Sequence, residues 1–444
     1  LAGAKPGCMT ASQAGVRSHG GRFALASAFW GGIARISLFF DCKAGASVLA
    51  QRFQQLDRLL TETRRWWQYQ PYHHLNLAFA DEAPALASLL NAMPLEQINR
   101  LDGDMGALCD LLAPWIPAGE TLHALSELAL FTPEPIQCAK EMALHMPGRK
   151  QAQIEAFTGC LPPHQGPYLE WCAGKGHLGR LVSLHRRAEI LSLELQGPLC
   201  EEGRRLAARD GARMHFVQAD AFAADAGQLL VTDHHAMALH ACGELHTHLL
   251  SLVAERGAQG VTISPCCYHL IRGTHYRPLS AAAKASALAL AKADLRLPLQ
   301  ETVTAGARIS RLREQEVVWR LGFDCLQRQV RGVNEYLPVP NMQKSLLTGS
   351  FEAFCEWAAE RKGITLPAGM DLAAFLAQGE ARYGDVARME LVRHLFRRPL
   401  EIWLVLDRAL FLQEHGYRVE VGEFCDKPMT PRNVLIRAVR SSLA

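Results

Sequence analysis

Between about residues 158 and 270 apolar strands alternate with helical segments, which predicts an α/β fold with a parallel, doubly wound sheet. Two further observations point the same way. A small-residue turn, Ala173-Gly174-Lys175-Gly176, comes after the first strand, and three consecutive strands end in acids, Glu170, Glu194 and Asp220. Two strand-like segments near the C-terminus bring the sheet to seven strands. The expected architecture is therefore a seven-stranded Rossmann-like sheet with an N-terminal helical region and a long helical insertion before the last two strands.

Residues 1–44 read as an irregular extension. Residues 45–157 read as helical: Ala46–Tyr69 carries Val48, Leu49, Phe53, Leu56, Leu59 and Leu60 at helical spacing, and Pro71, Pro84, Pro94, Pro114, Pro117, Pro133 and Pro135 divide the rest of the region. A further helix opens at Pro147 and runs to Phe157. The α/β core spans 158–270, with strands at Tyr168–Trp171, Glu189–Glu194, Met214–Gln218, Ala236–His240 and Gly260–Ser264. The insertion, 271–415, shows helical patterns at Ala281–Leu297, Ile309–Gln329, Phe351–Arg361, Leu372–Tyr383, Asp385–Phe396 and Leu400–His415. Residues 416–444 read as a closing antiparallel hairpin, Tyr417–Phe424 and Asn433–Val439.

Composition limits the function classes. A chain of 444 residues with 49% hydrophobic content is expected to form two or three units with ample cores. The net charge of +3 excludes a global basic field for nucleic acid, so any such binding needs a local patch. Thirteen cysteines without a framework indicate a reducing, cytoplasmic setting. No apolar run of about 18 residues is free of charge, so no membrane partner is expected. Phe23–Phe40 comes nearest and is interrupted by Arg35.

The glycine turn and the acids describe a nucleoside site. A strand ending in small residues lets the backbone approach a ligand, and the next helix offers its N–H groups. An acid at the tip of the second strand accepts hydrogen bonds from both ribose hydroxyls, and one on the third can bond an adenine amine. A nicotinamide dinucleotide would need glycine where Cys172 stands. The carboxylate of Glu170 would repel its pyrophosphate but attract the ammonium of S-adenosylmethionine (SAM). The pattern E-x-C-A-G-x-G looks like motif I of class I SAM-dependent methyltransferases. The cofactor set is Glu170, Cys172, Ala173, Gly174, Gly176, Glu194, Asp220 and His240.

A second cluster lies on strands four and five, which lead into His240-Ala241-Cys242-Gly243-Glu244 and Pro265-Cys266-Cys267-Tyr268-His269. Ligands of such sheets sit beyond the strand ends, where His240, Cys242, Cys266, Tyr268 and His269 form the catalytic set: imidazole, thiol and phenol to position an acceptor and take its proton. No metal is expected, because adjacent cysteines on a strand diverge. The bland alternative is a sheet edge filled with small polarizable side chains.

The runs Ala238–Leu245, Pro265–His269, LDRALFLQE at 406–414 and TPRN at 430–433 resemble the methyltransferase-like 25 family. That family groups with the methyltransferase half of a glutathione-transferase-C-terminal-domain protein and with proteins described as rRNA adenine dimethylase domain-containing. The core is also similar to tRNA 2′-O-methyltransferases with an L-C-G element after strand four. The resemblance covers about 147–279 and 400–440. It implies a class I SAM methyltransferase fold, with SAM contacts at Glu170, Ala173, Gly174, Gly176, Glu194 and Asp220. No [DN]-P-P-[YFW] occurs after strand four, which counts against methylation of an adenine amine.

The expected function is methyl transfer from SAM to RNA, in line, with His240 or His269 as base. Possible contact surfaces are Arg64-Arg65-Trp66-Trp67, Arg149-Lys150, Arg272 with His275, Tyr276 and Arg277, Arg308-Arg311-Arg313, and Arg393-His394-Arg397-Arg398. Trp66 and Trp67 are expected to pack first and stack second. The competing readings are a protein or small-molecule methyltransferase and a non-catalytic SAM-fold interaction module.

Overall fold

The computed structural model describes residues 47–441, apart from 140, 141, 143, 145, 301–306 and 344. The expectation for residues 1–44 lies outside the described residues. The centre is a seven-stranded sheet in the order β3-β2-β1-β4-β5-β7-β6. Its strands are β1 (Tyr168–Trp171), β2 (Ile190–Glu194), β3 (Met214–Gln218), β4 (His235–Cys242), β5 (Gly260–Cys266), β6 (Tyr417–Glu423) and β7 (Val434–Arg440). The first five pair in parallel, and β7 lies antiparallel to both β5 and β6. This is the seven-stranded Rossmann-like architecture expected from the sequence. Strand order reverses between β1 and β4, and the crevice at such a switch point is where ligands bind. The TPRN run shapes the hairpin: buried Asn433 donates to Cys425 O at 2.8 Å, and Thr430 Oγ1 accepts from Arg432 N.

The N-terminal helices are α1 (Val48–Glu62), α2 (Pro84–Asn91), α3 (Leu95–Asp102), α4 (Met105–Leu112), α5 (Gly119–Ala124) and α6 (Gly148–Gly159). Ser47 caps α1, accepting from Ala50 N. The apolar stripe Leu49, Phe53, Leu56 and Leu60 packs on a later helix through Trp403, whose ring centre lies 5.2 Å from that of Phe53. Trp403 is fully buried and donates to Asp57 Oδ1 at 2.8 Å. Truncating such an aromatic costs about 3–5 kcal/mol. One hydrophobic core runs from Leu49 through Trp403 to Ile436.

The core helices are α7 (His177–Arg186), α8 (Gly197–Asp210) and α9 (Glu244–Arg256). Then come the single turn α10 (Ala281–Lys284), α11 (Ala307–Arg331), α12 (Phe351–Lys362), α13 (Leu372–His394) and α14 (Arg397–Glu414). Helices α11, α12 and α13 enclose a second core of Trp319, Phe323, Phe351, Phe354 and Phe375. Two expectations fail here. The Ala-rich segment 281–297 is helical for four residues only, because tertiary bonds override propensity. Tyr276 N donates to Leu290 O and Lys292 N to Thr274 O, which pairs Ala291 with His275 in an isolated antiparallel bridge before a 3-10 turn at Asp294–Leu299. The two helices expected at 372–396 are one, since Gly384 does not interrupt α13. No helix among the described residues is long and apolar enough to cross a membrane.

Candidate active site

The turn after β1 is built from left-handed backbone at Cys172 (φ 58°), Gly174 (φ 58°) and Gly176 (φ 66°). The two glycines serve different ends. A Cβ on Gly174 would meet nothing within 4 Å, so this residue fronts open space. A Cβ on Gly176 would lie 2.5 Å from the Phe216 ring, so its smallness lets α7 pack on β3. Gly176, expected as a cofactor contact, is buried and acts as a packing residue.

Glu170 also departs from expectation. Its carboxylate lies beneath the turn, accepting from Gly179 N at 3.1 Å and Ser192 Oγ at 2.9 Å. Burial outweighs these bonds and pushes the carboxyl up to about 7. Its contacts brace α7 against β1 and β2, in place of the expected role at the cofactor ammonium. Glu194 holds the turn from the other side: Oε2 accepts from Gly174 N at 2.8 Å and Oε1 from Gln196 N at 3.0 Å. Asp220 is exposed and uses Oδ1 to accept from Phe222 N at 2.9 Å. Cys172 and Ala173 lie half-buried between these acids, and burial pushes the Cys172 thiol up to about 12.

Near the end of β4 the sheet register breaks between Leu239 and Cys242. His240 occupies the bulge with φ 72° and stands at the rim. One flank of its ring meets α6, where Nε2 donates to Gln153 Oε1 at 3.2 Å. Gln153 is fixed in that orientation because its own amide donates to Met429 O. Desolvation of this flank, then repulsion from Lys150, holds the imidazole below its ordinary pKa. Nδ1 of a neutral His240 is then left as a proton acceptor. Gln153 and Lys150 carry no motif, and only the position of α6 directly before β1 hints at their place.

At the end of β5, Cys267 takes φ 48°, which turns its sulfur to the side of Cys266. Sγ of Cys242 and Cys266 stand 3.6 Å apart, and the three sulfurs lie within 4.8 Å of one another. The expected divergence of Cys266 and Cys267 is thus corrected, because the strand has ended and the left-handed residue reverses one side chain. Among the described residues four non-glycines have positive φ, and Cys172, His240 and Cys267 are three of them, all at these strand ends. His269 is half-buried with an Nδ1 that has no hydrogen-bond partner. Its imidazole is held low by desolvation and then by Arg296.

Tyr268 does not join this group. It is a core residue whose hydroxyl donates toward Pro265 O and Glu401 Oε1 at 3.4 Å, beneath the Arg408 guanidinium. Burial raises its pKa well above the ordinary range, which removes it as a proton acceptor. Its ring backs a cavity of about 500 Å³ also lined by Phe222, Glu244, His248, Arg272 and Arg277. The Arg272 guanidinium lies 3.8 Å over the Phe222 ring centre.

Residues 149–274 match the family described as methyltransferase domain. The match covers less than a third of the chain. Among solved structures the chain is similar to precorrin-6y C5,15-methyltransferase from Geobacter metallireducens, at 16% identity and a TM-score of 0.23 over 29% of this chain and 66% of that one. The glycopeptide N-methyltransferase MtfA bound to SAM matches at 20% identity and a TM-score of 0.21, over 29% of this chain and 59% of that one. For magnesium protoporphyrin IX methyltransferase from Synechocystis PCC 6803 the identity is 10%, the TM-score 0.28 and the coverage 73% and 95%. The chain thus spans less than two thirds of each of the first two structures. No curated protein matches the chain. The MtfA structure holds SAM, the cofactor expected from the sequence. The site fits it: Gly174 leaves an open face, Glu194 is oriented by two backbone N–H groups, and Asp220 keeps Oδ2 at the surface.

Proposed function

We propose that this chain is a SAM-dependent methyltransferase of the methyltransferase-like 25 type and that its acceptor is RNA. The observation that carries the acceptor reading is the cationic rim around the strand ends. Arg149 and Lys150 are exposed on the first turn of α6, the helix that meets His240, and Arg272, His275 and Arg277 are exposed on the segment leaving β5. Such a surface suits a phosphate backbone, and the Arg272–Phe222 pair offers a stacking face. Two other patches are withdrawn as contact surfaces. Arg393, Arg397 and Arg398 are buried and bonded to Glu390, Asp102, Glu401 and Glu423. Trp66 and Trp67 are buried in the core. Free thiols at every described cysteine suit a cytoplasmic setting.

The cofactor supplies an activated methyl group. The residues of this chain align the acceptor, exclude water and move one proton: Nδ1 of His240, with His269 as the alternative, takes it from an acceptor hydroxyl or amine as the methyl transfers in line. The full chain incubated with methyl-labelled SAM and lysate fractions tests the acceptor. Label that RNase removes and protease spares is the expected result. Label lost to protease, or carried only by small molecules, replaces RNA by that class.

A further inference from the structure

We infer that Cys242, Cys266 and Cys267 form a zinc site with three thiolate ligands and an open fourth position. The three sulfurs already lie within 4.8 Å of one another, with Cys242 and Cys266 at 3.6 Å. Tetrahedral zinc with Zn–S bonds of about 2.3 Å sets its sulfurs about 3.8 Å apart, so the ion needs little movement to enter. The arrangement is held by backbone that ordinary strands do not adopt. The β4 bulge at His240 precedes Cys242, Gly243 N donates to Cys266 O at 3.0 Å, and left-handed Cys267 begins a turn closed by Leu270 N. Strain of this kind persists where the surroundings over-determine it, and here its effect is to converge three soft ligands.

Among the described residues no fourth His, Cys, Asp or Glu ligand atom belongs to this group. Three protein ligands with a vacant fourth position are the arrangement of catalytic zinc, whereas structural sites are closed by four. Arg432 and His269 lie within electrostatic reach of Cys267 and offset the net negative charge of a trithiolate complex. This assignment stands without the RNA reading.

The full chain, purified without chelator, is to be assayed for zinc by mass spectrometry and loaded with Co(II) after zinc removal. The expected results are about one zinc per chain and an intense thiolate-to-cobalt charge-transfer band. Cys242→Ser, Cys266→Ser and Cys267→Ser each lose both, while Cys138→Ser keeps both. Circular dichroism and SAM binding report whether each variant is folded, and if one is not, the wild-type cobalt spectrum decides. Wild-type protein without the charge-transfer band overturns the site, as does a Cys242–Cys266 disulfide in freshly purified protein.

Discussion

Arg408 Nε donates to His246 Nε2 at 2.8 Å inside the core, while His246 Nδ1 donates to Ala241 O at 2.9 Å. This chain of bonds ties α14 to the end of β4, beside the Cys242 sulfur. The neighbouring Asp407 accepts from Leu279 N and Ser280 N, and Glu414 from Ala281 N, so the LDRALFLQE run anchors the segment leaving β5. Arg408→Leu removes the charged hydrogen bonds to His246 Nε2, the Tyr276 hydroxyl and Leu404 O, and leaves His246 Nε2 without a partner. Each is worth about 1.5–3 kcal/mol, so a loss of about 3 kcal/mol or more is expected in denaturant unfolding. Arg408→Lys recovers little, since one ammonium cannot replace the fork.

Glu170 sets a pH dependence of stability. Its folded pKa of about 7 lies above the ordinary 4.5, so in this window the folded state binds more protons than the unfolded. Stability from this group is full below the unfolded value and falls as pH rises through the folded one, by a few kcal/mol at most. Glu170→Gln keeps an acceptor for Gly179 N and removes the titration. Unfolding at about pH 5 and about pH 8 should show a larger decline for wild type than for the variant.

Two glycine substitutions separate binding from folding. Gly174→Ala projects a methyl into open space and costs about 1 kcal/mol for its left-handed φ, while calorimetry should show SAM affinity sharply reduced. Gly176→Ala drives a methyl into Phe216 and should lower the melting temperature much further. Equal SAM affinity in wild type and Gly174→Ala would remove the turn from the binding surface.

As the proposed base His240 acts only when neutral, and its pKa lies below the usual histidine value. Turnover should therefore rise with pH through a point below about 6.5 and level off before neutrality. His240→Ala is expected to lower kcat by about 10²–10⁴-fold with SAM still bound. If His240→Ala and His269→Ala each keep full turnover, neither imidazole is the base.

Arg272 is exposed and stacked on Phe222, so it can leave the fold intact when removed. Arg272→Ala should weaken RNA binding and reduce the slope of log affinity against log salt by about 0.7–1, with SAM affinity unchanged. A slope identical to wild type places the RNA elsewhere.

Much of the site was legible because its signals are local. Strands that end in Glu194 and Asp220, and a turn that needs left-handed backbone at Gly174, can be read from a few adjacent residues. The pairing of His240 with Gln153 could not be read, since no periodicity reports which face of α6 meets the end of β4. Arg393, Arg397 and Arg398 read as a basic surface because sequence does not show that Glu390, Asp102, Glu401 and Glu423 surround them.

The sequence by itself determined the α/β class, the strand ends and the small-residue turn after β1, because strand alternation and turn residues act over a few bonds. Tertiary structure alone decided that Glu170 faces inward as a brace, that Ala291 bridges to His275 where a helix was expected, and that Cys266 and Cys267 bring their sulfurs to Cys242. Those outcomes depend on burial and on backbone angles set by distant partners. No local pattern encodes them.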